Sequence, residues 1–283
     1  MGGGRMRDGA RVGRVVAHII LIVASAAVLF PIYWMVVSSV QTNESIFSTT
    51  LHLLPMQWHW QNFIHAWNAQ PFAIFFINSI ASNAIIVVAQ VITSSLTAYA
   101  LVFLPLRGKK ILFFSILMAM MIPMQTTFIP VYLILSKVHL INTYGALVLP
   151  FVGSAFGIFL LRQGFLSIPK EMINAARIDG SGEWRILRSI VLPNVKPSLI
   201  TLVLLNFVFH YNNLFWPLVS TNTTNMRVIP VALSYFLTQE PGQNLQWNLM
   251  MAADLFAVIP VILIFLFGQR YIVRGVASAS VKG

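Results

Sequence analysis

Cysteine is absent from this sequence and charge is scarce, since only 9% of its 283 residues are charged and only seven are acidic. Without cysteine, disulfides, thiolate catalysis and cysteine-ligated metal sites are excluded. A soluble domain carries about 25% charged residues, so this chain has too little polar surface for an exterior that faces water. Hydrophobic side chains make up 58% of it, which places it in a lipid bilayer and leaves no soluble domain of useful size.

Several signatures of catalysis and metal binding are also missing. No Gly-x-x-x-x-Gly-Lys-Ser/Thr segment occurs, so the chain has no P-loop with which to hold ATP phosphates. Neither Gly-x-Ser-x-Gly nor His-Glu-x-x-His occurs. His52, His59 and His65 share one loop, but their spacings of seven and six differ from the i, i+4 pair of a helical zinc site. The sequence predicts neither an enzyme nor a metal site, and no cofactor held by this chain.

The apolar residues fall into six runs, each long enough to cross a hydrocarbon core about 30 Å thick. We therefore predict an all-α polytopic membrane protein with six transmembrane helices. Residues 15–272 would form the membrane domain, 1–14 an N-terminal tail and 273–283 a C-terminal tail. Most runs contain proline, which membrane helices tolerate where neighbours satisfy the freed carbonyls, so a kinked, packed bundle is expected. The runs are 15–37, 75–102, 111–135, 144–161, 198–219 and 249–267.

Lysine and arginine predict the orientation of the bundle. Sixteen of the eighteen lie in the N-terminal tail, the loop after the second run, residues 162–197 or the C-terminal tail, and only Lys137 and Arg227 lie on the other side. Cytoplasmic loops carry the excess of positive charge, so both termini are expected in the cytoplasm. Topology then explains the net charge of +11, and no basic run interleaved with aromatics indicates nucleic-acid binding.

The first external loop, as predicted from this orientation, contains an amphipathic pattern. Trp60, Phe63, Ile64 and Trp67 recur at helical spacing and predict a short helix that lies on the outer membrane surface. Its aromatic side chains suit an interfacial anchoring belt. Contact with an external partner is the alternative.

The longest cytoplasmic segment, residues 162–197, carries the pattern of two short helices. Pro169 suits a first helical turn, and no breaker follows until the Asp-Gly-Ser-Gly sequence at 179–182. Trp184, Leu187 and Val191 are then predicted to share one face of a second helix, which ends at Pro193. If a partner bound this compact helical segment, displacement of the partner would be transmitted to the two spans that adjoin it. An ordinary folded loop covering the inner face of the bundle is the alternative.

Polar residues inside the spans mark a candidate pathway. Asn83 and Gln90 are seven residues apart and share one helix face, and Asn206 and Asn213 repeat that spacing in the fifth span. With the aromatic ring of Tyr211, these neutral groups suit the hydroxyls and ring faces of a sugar. Hydrogen bonding between helices needs the same residue types and is the alternative.

Residues 174–181 read NAARIDGS and residues 190–193 read IVLP. Together they closely resemble the Glu-Ala-Ala loop of ATP-binding-cassette importer permeases. Further matches read MIP at 121–123, NS at 78–79, WP at 216–217 and QRY at 269–271, and these resemble the carbohydrate-uptake branch of that family. The resemblance covers nearly the whole chain and implies the type I importer permease fold.

The resemblance also implies a set of partners and a place in the cell. Permeases of this branch pair with a second homologous permease, two cytoplasmic ATPase subunits and an external solute-binding protein, in the plasma membrane of a bacterium or archaeon. ATP and Mg²⁺ would be bound by the ATPase subunits, since this chain lacks a P-loop. The external loop from 220 to 247 matches in position a loop that relatives direct toward the binding protein.

Individual residues acquire roles by the same resemblance. The loop helix would dock in a groove on an ATPase, and the C-terminal Lys282 and Gly283 would reach the ATPase pair. Asn174 stands where the family has glutamate, so it cannot form that charge pair, and Glu171 on a neighbouring face is a candidate to compensate. The residues expected in ATPase coupling are Glu171, Asn174, Ala175, Ala176, Asp179 and Gly180.

Two alternatives concern what is carried and how. The same architecture could import a polyol or a glycerol phosphate ester in place of a sugar, and the sequence does not name the cargo. From a different class, a proton-coupled secondary transporter would use Asp254, the only acid well inside a span. A helix end at which the dipole and nearby water stabilise the Asp254 charge is the other interpretation.

Overall fold

The computed structural model describes residues 3–50, 52–55, 57–236 and 246–280, and within these ranges it is all-α, without a strand. The predicted fold class is confirmed. Short 3₁₀ turns at Leu149–Phe151 and Thr224–Met226 and a π-helical turn at Leu187–Val191 join some of the helices. The α-helices are α1 (Gly3–Ser39), α2 (Asn43–Ile46), α3 (Gln61–Ala69), α4 (Phe72–Phe103), α5 (Lys109–Ala119), α6 (Met124–Lys137), α7 (Tyr144–Val148), α8 (Ala155–Leu166), α9 (Lys170–Ile178), α10 (Glu183–Ile186), α11 (Leu192–Asn194), α12 (Lys196–Tyr211), α13 (Phe215–Ser220), α14 (Ile229–Tyr235) and α15 (Trp247–Ser280).

The chain divides into two compact units. The first contains Met1–Gln70 and Tyr235–Val258, and the second contains Pro71–Ser234 and Ile259–Gly283. The predicted cytoplasmic loop and the predicted polar pathway both belong to the second unit. The predicted tails and membrane domain depend on where the bilayer lies, and those boundaries stay predictions.

Three described helices are long and apolar enough to cross a membrane unaided, namely Gly13–Ser39, Phe72–Phe103 and Trp247–Arg270. Three further pairs pass the same test together but are bent at a short break, by 95°, 45° and 82°. The described residues therefore supply three spans, or up to six if each bent pair is one span. The predicted count of six is consistent with this arrangement.

The third predicted run, residues 111–135, is two helices and not one straight span. α5 ends at Ala119, α6 begins at Met124, and the two are bent by 95°. Pro123 has no N–H to donate and biases the preceding residue away from helical backbone, so the helix stops there. The fifth run is also interrupted, because α12 ends at Tyr211 and α13 begins at Phe215.

The short helix predicted in the first external loop is confirmed as α3. Asn62 anchors it by donating its side-chain N–H groups to the carbonyl oxygens of Ser39 and Gln41, each at 2.9 Å. Trp60 and Ile64 are more than half exposed, whereas Asn62 is buried. Its placement on the outer membrane surface stays a prediction.

The second unit is built around α4, α8 and α12, which pack against one another. Gly157 on α8 permits the close approach, because a Cβ there would lie 2.5 Å from Ser94 Oγ on α4 and 3.0 Å from Leu202 Cδ1 on α12. Both distances are shorter than ordinary van der Waals contact.

Replacing Gly157 with alanine is expected to destabilise the folded chain, because overpacking a filled interior typically costs about 1–3 kcal/mol. Adding Ser94→Ala removes the closest atom and should recover part of the loss. Gly153→Ala is the matched control, since nothing lies within 4 Å of a Cβ at that position. Thermal unfolding of the purified chain, followed by tryptophan fluorescence, measures the difference. Equal midpoints for both alanine variants would contradict this packing.

Candidate functional site

The segment 162–197, predicted to be an ordered cytoplasmic loop, forms two helices joined by a tight turn. α9 is preceded by Pro169 and ends at Ile178, with Asp179 as its C-cap. The Gly180 N–H donates to the Arg177 carbonyl at 3.0 Å, and the Ser181 N–H donates to the Ala176 carbonyl at 2.9 Å. This is the Schellman pattern, which requires left-handed backbone after the helix. Gly180 provides it with φ +77°, whereas Gly182 has φ −69° and needs no such freedom.

The residues expected to couple to an ATPase lie along one side of this segment. Glu171, Asn174 and Ala175 are exposed on α9, and Asp179 and Gly180 are exposed in the turn. All five are therefore accessible to another chain. Ala176 differs, because it is only 8% exposed and packs into the core beneath the loop. Of the two adjacent alanines, only Ala175 is open to the close approach of another chain.

The second helix does not have the predicted face. Leu187 and Val191 are buried, but Trp184 is 64% exposed, so the prediction that all three share one face of a helix was wrong. α10 is only one turn long, and the chain continues from Leu187 to Val191 as a π-helical turn. A π-turn changes the angular spacing of side chains, and Ile186, with no exposed surface, takes the inward position.

An ion pair that the sequence analysis did not single out ties the two loop helices together. The Arg177 Nε donates to Glu183 Oε1 at 2.8 Å, and Nη2 donates to Glu183 Oε2 at 3.1 Å. The same Nη2 donates to the Phe103 carbonyl at 3.1 Å, and the Tyr99 hydroxyl donates to Glu183. Tyr99 and Phe103 stand at the end of α4, so this cluster fastens the loop to a membrane helix. We call these four residues the loop clamp.

The loop clamp depends on the ionised carboxylate of Glu183. The hydrogen bonds from Arg177, and then the bond from Tyr99, hold the pKa of Glu183 below its usual range. A carboxyl whose pKa is depressed by folding stabilises the folded state above its ordinary pKa. That contribution is lost as the pH falls through the depressed value. The clamp is therefore complete at neutral pH.

A buried apolar core joins the loop to three membrane helices. Ile173, Ile186 and Val191 contribute from the loop and are almost wholly buried. Closely packed apolar side chains are not easily compressed, so a movement of the loop is transmitted to the helices that share this core. The cluster also includes Ala98, Tyr99, Leu161, Phe165, Ile168, Ala176, Leu187, Val195 and Leu202.

A cleft of about 330 Å³ opens beside Asn174. Lys109, Lys170 and Arg177 line it together with apolar residues at the end of α4, and no acidic side chain lines it. Arg177 is occupied by Glu183, so the two lysines supply the remaining positive charge. The surface next to Asn174 is therefore cationic, and a glutamate at this position would neutralise only part of that charge.

The five residues predicted to line a pathway separate into two groups. Gln90 and Asn206 join helices, because Asn206 Nδ2 donates to Gln90 Oε1 at 2.6 Å. Gln90 Nε2 in turn meets the Phe151 carbonyl at 2.8 Å and His210 Nε2 at 2.9 Å. Gln90 and Asn206 are thus engaged in the interhelical bonding that the sequence left as an alternative.

Asn83, Tyr211 and Asn213 instead line a cavity, and the structure brings them together there with His210 and Trp216. The free space is about 20 Å³, which is enough for one water-sized group. No charged side chain lines it. Its full lining is Ser79, Ser82, Asn83, Ile86, Leu147, Phe151, His210, Tyr211, Asn213, Trp216, Pro217 and Val228.

The hydrogen bonds around this cavity show which polar atoms of its lining lack a partner, and one of these atoms is a donor and the other an acceptor. Gln90 Nε2 must be the donor because it faces the Phe151 carbonyl, so His210 Nε2 accepts and the ring carries its proton on Nδ1. That Nδ1 is buried without a partner. Asn83 Nδ2 donates to the Phe207 carbonyl at 3.0 Å, and Asn83 Oδ1 is buried without a partner. One donor and one acceptor are left, which is the requirement of a hydroxyl group.

Three remaining predictions concern other parts of the chain. Lys282 and Gly283 lie outside the described residues. Asp254 is partly buried on α15, which begins at Trp247. Within the described ranges, no group of three or more His, Cys, Asp or Glu side chains is placed to hold a metal ion.

Comparison with known proteins identifies the family. Residues 90–278 match the family described as "Binding-protein-dependent transport system inner membrane component". The chain is 31% identical over 271 residues to the sn-glycerol-3-phosphate transport system permease protein UgpE of Yersinia pestis, covering 94% of this chain and 96% of that protein. It is 33% identical over 274 residues to the probable ABC transporter permease protein YurM of Bacillus subtilis, covering 96% and 90%.

A solved structure supports the same fold. A chain of a bacterial ABC transporter involved in the import of the acidic polysaccharide alginate superposes with a TM-score of 0.81 at 24% identity, covering 93% of this chain and 97% of that one. A chain of the bacterial alginate ABC transporter in complex with alginate pentasaccharide-bound periplasmic protein superposes with a TM-score of 0.54 at 13% identity.

The predicted importer permease fold is therefore confirmed. Membership also excludes the alternative of a stand-alone proton-coupled transporter that uses Asp254. The chain belongs to the binding-protein-dependent inner membrane component family and is a multi-pass permease subunit of an ABC importer, not an enzyme.

Proposed function

We propose that this permease imports a neutral sugar or polyol and forms half of the translocation pathway beside a second, homologous permease. The observation that carries the proposal is the cavity around Asn83 and His210. Its lining has no charge, it contains the aromatic rings of Tyr211 and Trp216, and its two unpaired atoms match a hydroxyl. The cavity admits only one such group in this conformation, so a whole sugar would enter when the permease opens.

The proposed energy source is a pair of cytoplasmic ATPase subunits, which would bind ATP and Mg²⁺. The segment 170–191 would dock on one of them through Glu171, Asn174, Ala175, Asp179 and Gly180, with Ala176 supporting the helix from beneath. The core and the loop clamp would carry the displacement of the docked loop into α4, α8 and α12. Both termini would lie in the cytoplasm, with Lys282 and Gly283 near the ATPase pair, and an external binding protein would deliver the cargo.

The relatives supply a second candidate cargo. Permeases named for sn-glycerol 3-phosphate are 31% identical to this chain, which favours a glycerol phosphate ester. Either hydroxyl of such an ester would match His210 Nδ1–H and Asn83 Oδ1 as a sugar hydroxyl does, so its phosphate charge is what separates it from a neutral cargo. The partner permease would then have to supply the cations that the cavity lacks.

Replacing His210 with phenylalanine is the test of the cargo. The variant removes the unpaired donor but leaves Gln90 bonded to the Phe151 carbonyl, so neutral sugar uptake should fall about tenfold. Phe267→Leu is the control, because Phe267 belongs to the same unit, is 73% exposed and does not line the cavity. Uptake of radiolabelled sugars and of sn-glycerol 3-phosphate is measured in cells that express the complete importer. Transport of sn-glycerol 3-phosphate alone would contradict the neutral cargo.

A further inference from the structure

A second polar pocket is formed by residues of the first unit alone. Its volume is about 300 Å³, and it is lined by Gln41, Thr42, Ser45, Gln57 and His59. All five side chains are amides, hydroxyls or an imidazole, and none is a carboxylate, ammonium or guanidinium. The pocket is large enough for a ligand of one or two sugar rings, since small-molecule sites begin at about 300 Å³.

The backbone holds the two sides of this pocket in place. The His59 N–H donates to the Val40 carbonyl at 2.9 Å. Asn62 Nδ2 donates to the Gln41 carbonyl at 2.9 Å. Thr42 Oγ1 accepts the Ser45 N–H at 3.3 Å and caps α2. The pocket is therefore a built feature of the loop between α1 and α3.

Two buried polar atoms in the pocket wall lack a hydrogen-bond partner. Gln41 is only 2% exposed, and its Nε2 donor is unpaired. His59 Nε2 is also unpaired. A buried donor without an acceptor costs about 1–3 kcal/mol, so a ligand that reaches these atoms would gain by pairing them.

Two exposed tryptophans neighbour the lining residues in the chain, although neither of them lines the pocket itself. Trp58 and Trp60 flank His59 in the chain, and their rings stack with centroids 5.5 Å apart at 15°. They are 57% and 61% exposed, so part of their surface is open. Parallel indole faces present apolar, electron-rich surface, onto which the C–H face of a sugar ring packs.

From these features we infer that Gln41, Thr42, Ser45, Gln57 and His59, with the Trp58 and Trp60 rings, form an accessory binding site for a neutral saccharide. The amides and hydroxyls match sugar hydroxyls, the rings match sugar C–H groups, and the absence of charge disfavours anionic ligands. The inference rests on the proposed external location of this loop. It does not depend on the cargo or on the cavity near His210.

Binding of saccharides to the full chain in lipid nanodiscs tests the site. The purified chain is applied to an array of neutral and anionic mono- and disaccharides, and the saccharides that bind are titrated by tryptophan fluorescence. At least one neutral saccharide should bind. Gln41→Leu and Gln57→Leu should each weaken it about tenfold, and Gln57 is exposed, so its loss should not disturb folding. Gln61→Leu, an exposed glutamine at the start of α3 that does not line the pocket, should bind like the unaltered chain.

Four results would overturn the inference. One is that no neutral saccharide binds, and another is that anionic saccharides bind in preference. The third is that binding survives both Gln41→Leu and Gln57→Leu, which places it elsewhere. If Trp58→Ala changes only quenching by brominated lipids and not saccharide affinity, the rings are membrane anchors and the site is wrong. Failure of uptake with these titrations intact would contradict the proposed importer cargo and leave the site standing.

Discussion

Gly180→Val should reduce transport at least about tenfold while the chain still inserts into the membrane. The reason is backbone conformation and not crowding, because nothing lies within 4 Å of a Cβ at Gly180. Its φ of +77° is a region that β-branched residues scarcely adopt, and strain of this kind costs about 1–3 kcal/mol. Since 1.4 kcal/mol is a factor of ten, the turn would leave the Schellman geometry and displace the exposed surface of α9.

Gly182→Val provides a matched control for this prediction. Gly182 is two residues away, has extended backbone with φ −69°, and also has open space where a Cβ would stand. It should keep most of the transport, and Gly180→Asn should be intermediate because asparagine tolerates left-handed backbone. Uptake of labelled substrate and the amount of chain in membranes are measured for all three. Equal loss in Gly180→Val and Gly182→Val would show that bulk and not conformation matters.

Arg177→Met should uncouple ATP hydrolysis from transport. The change keeps most of the side-chain length but removes the bonds to Glu183 and to the Phe103 carbonyl. The Glu183 carboxylate would lose its strongest partner, and the loop would keep only the bond from Tyr99 as a polar link to the end of α4. The ATPase subunits should still bind and hydrolyse ATP, but stimulation by the loaded binding protein should fall by about tenfold together with uptake.

Arg188→Met is the control for the loss of a positive charge, because Arg188 is exposed on the same loop and takes no part in the clamp. Glu183→Gln should have a smaller effect than Arg177→Met, since a neutral amide still accepts from Tyr99 and leaves Arg177 bonded to Phe103. ATPase activity and uptake are measured in proteoliposomes with the complete importer. If Arg177→Met and Arg188→Met behave alike, the clamp has no role in coupling.

The loop could be predicted from the sequence because a proline and a glycine mark the ends of its first helix. Pro169 and Gly180 act on the backbone next to them, so the start of α9 and its left-handed end follow from residue type. The amphipathic spacing around Phe63 likewise gave α3. These preferences involve residues only a few positions apart, so they hold whatever the helix packs against.

Packing decided what the sequence could not. The exposure of Trp184 depends on a π-helical turn that begins at Leu187. The type of residue at these positions does not predict such a turn. The bond between Tyr99 and Glu183 joins residues 84 apart in the chain. The only local hint of the clamp was the Arg177 and Glu183 charges on either side of the turn.

The polar pathway shows the same limit. Asn83 and Gln90 lie on one helix face, as their spacing predicts, yet Asn83 lines the cavity and Gln90 bonds to Asn206. Which partner each amide meets depends on the neighbouring helices. Residue type alone therefore did not separate interhelical bonding from a cargo site.

Site-specific cross-linking in the native membrane tests the central claim, that an ATPase grips the exposed side of α9. The chain contains no cysteine, so single cysteines at Asn174 and Ala175, both exposed, can carry a photoreactive reagent without background. We expect Asn174→Cys and Ala175→Cys to capture an ATP-hydrolysing subunit, and Asn222→Cys in the proposed external loop to capture none. Cross-links that never contain such a subunit, or that form equally from Asn222→Cys, would contradict the claim.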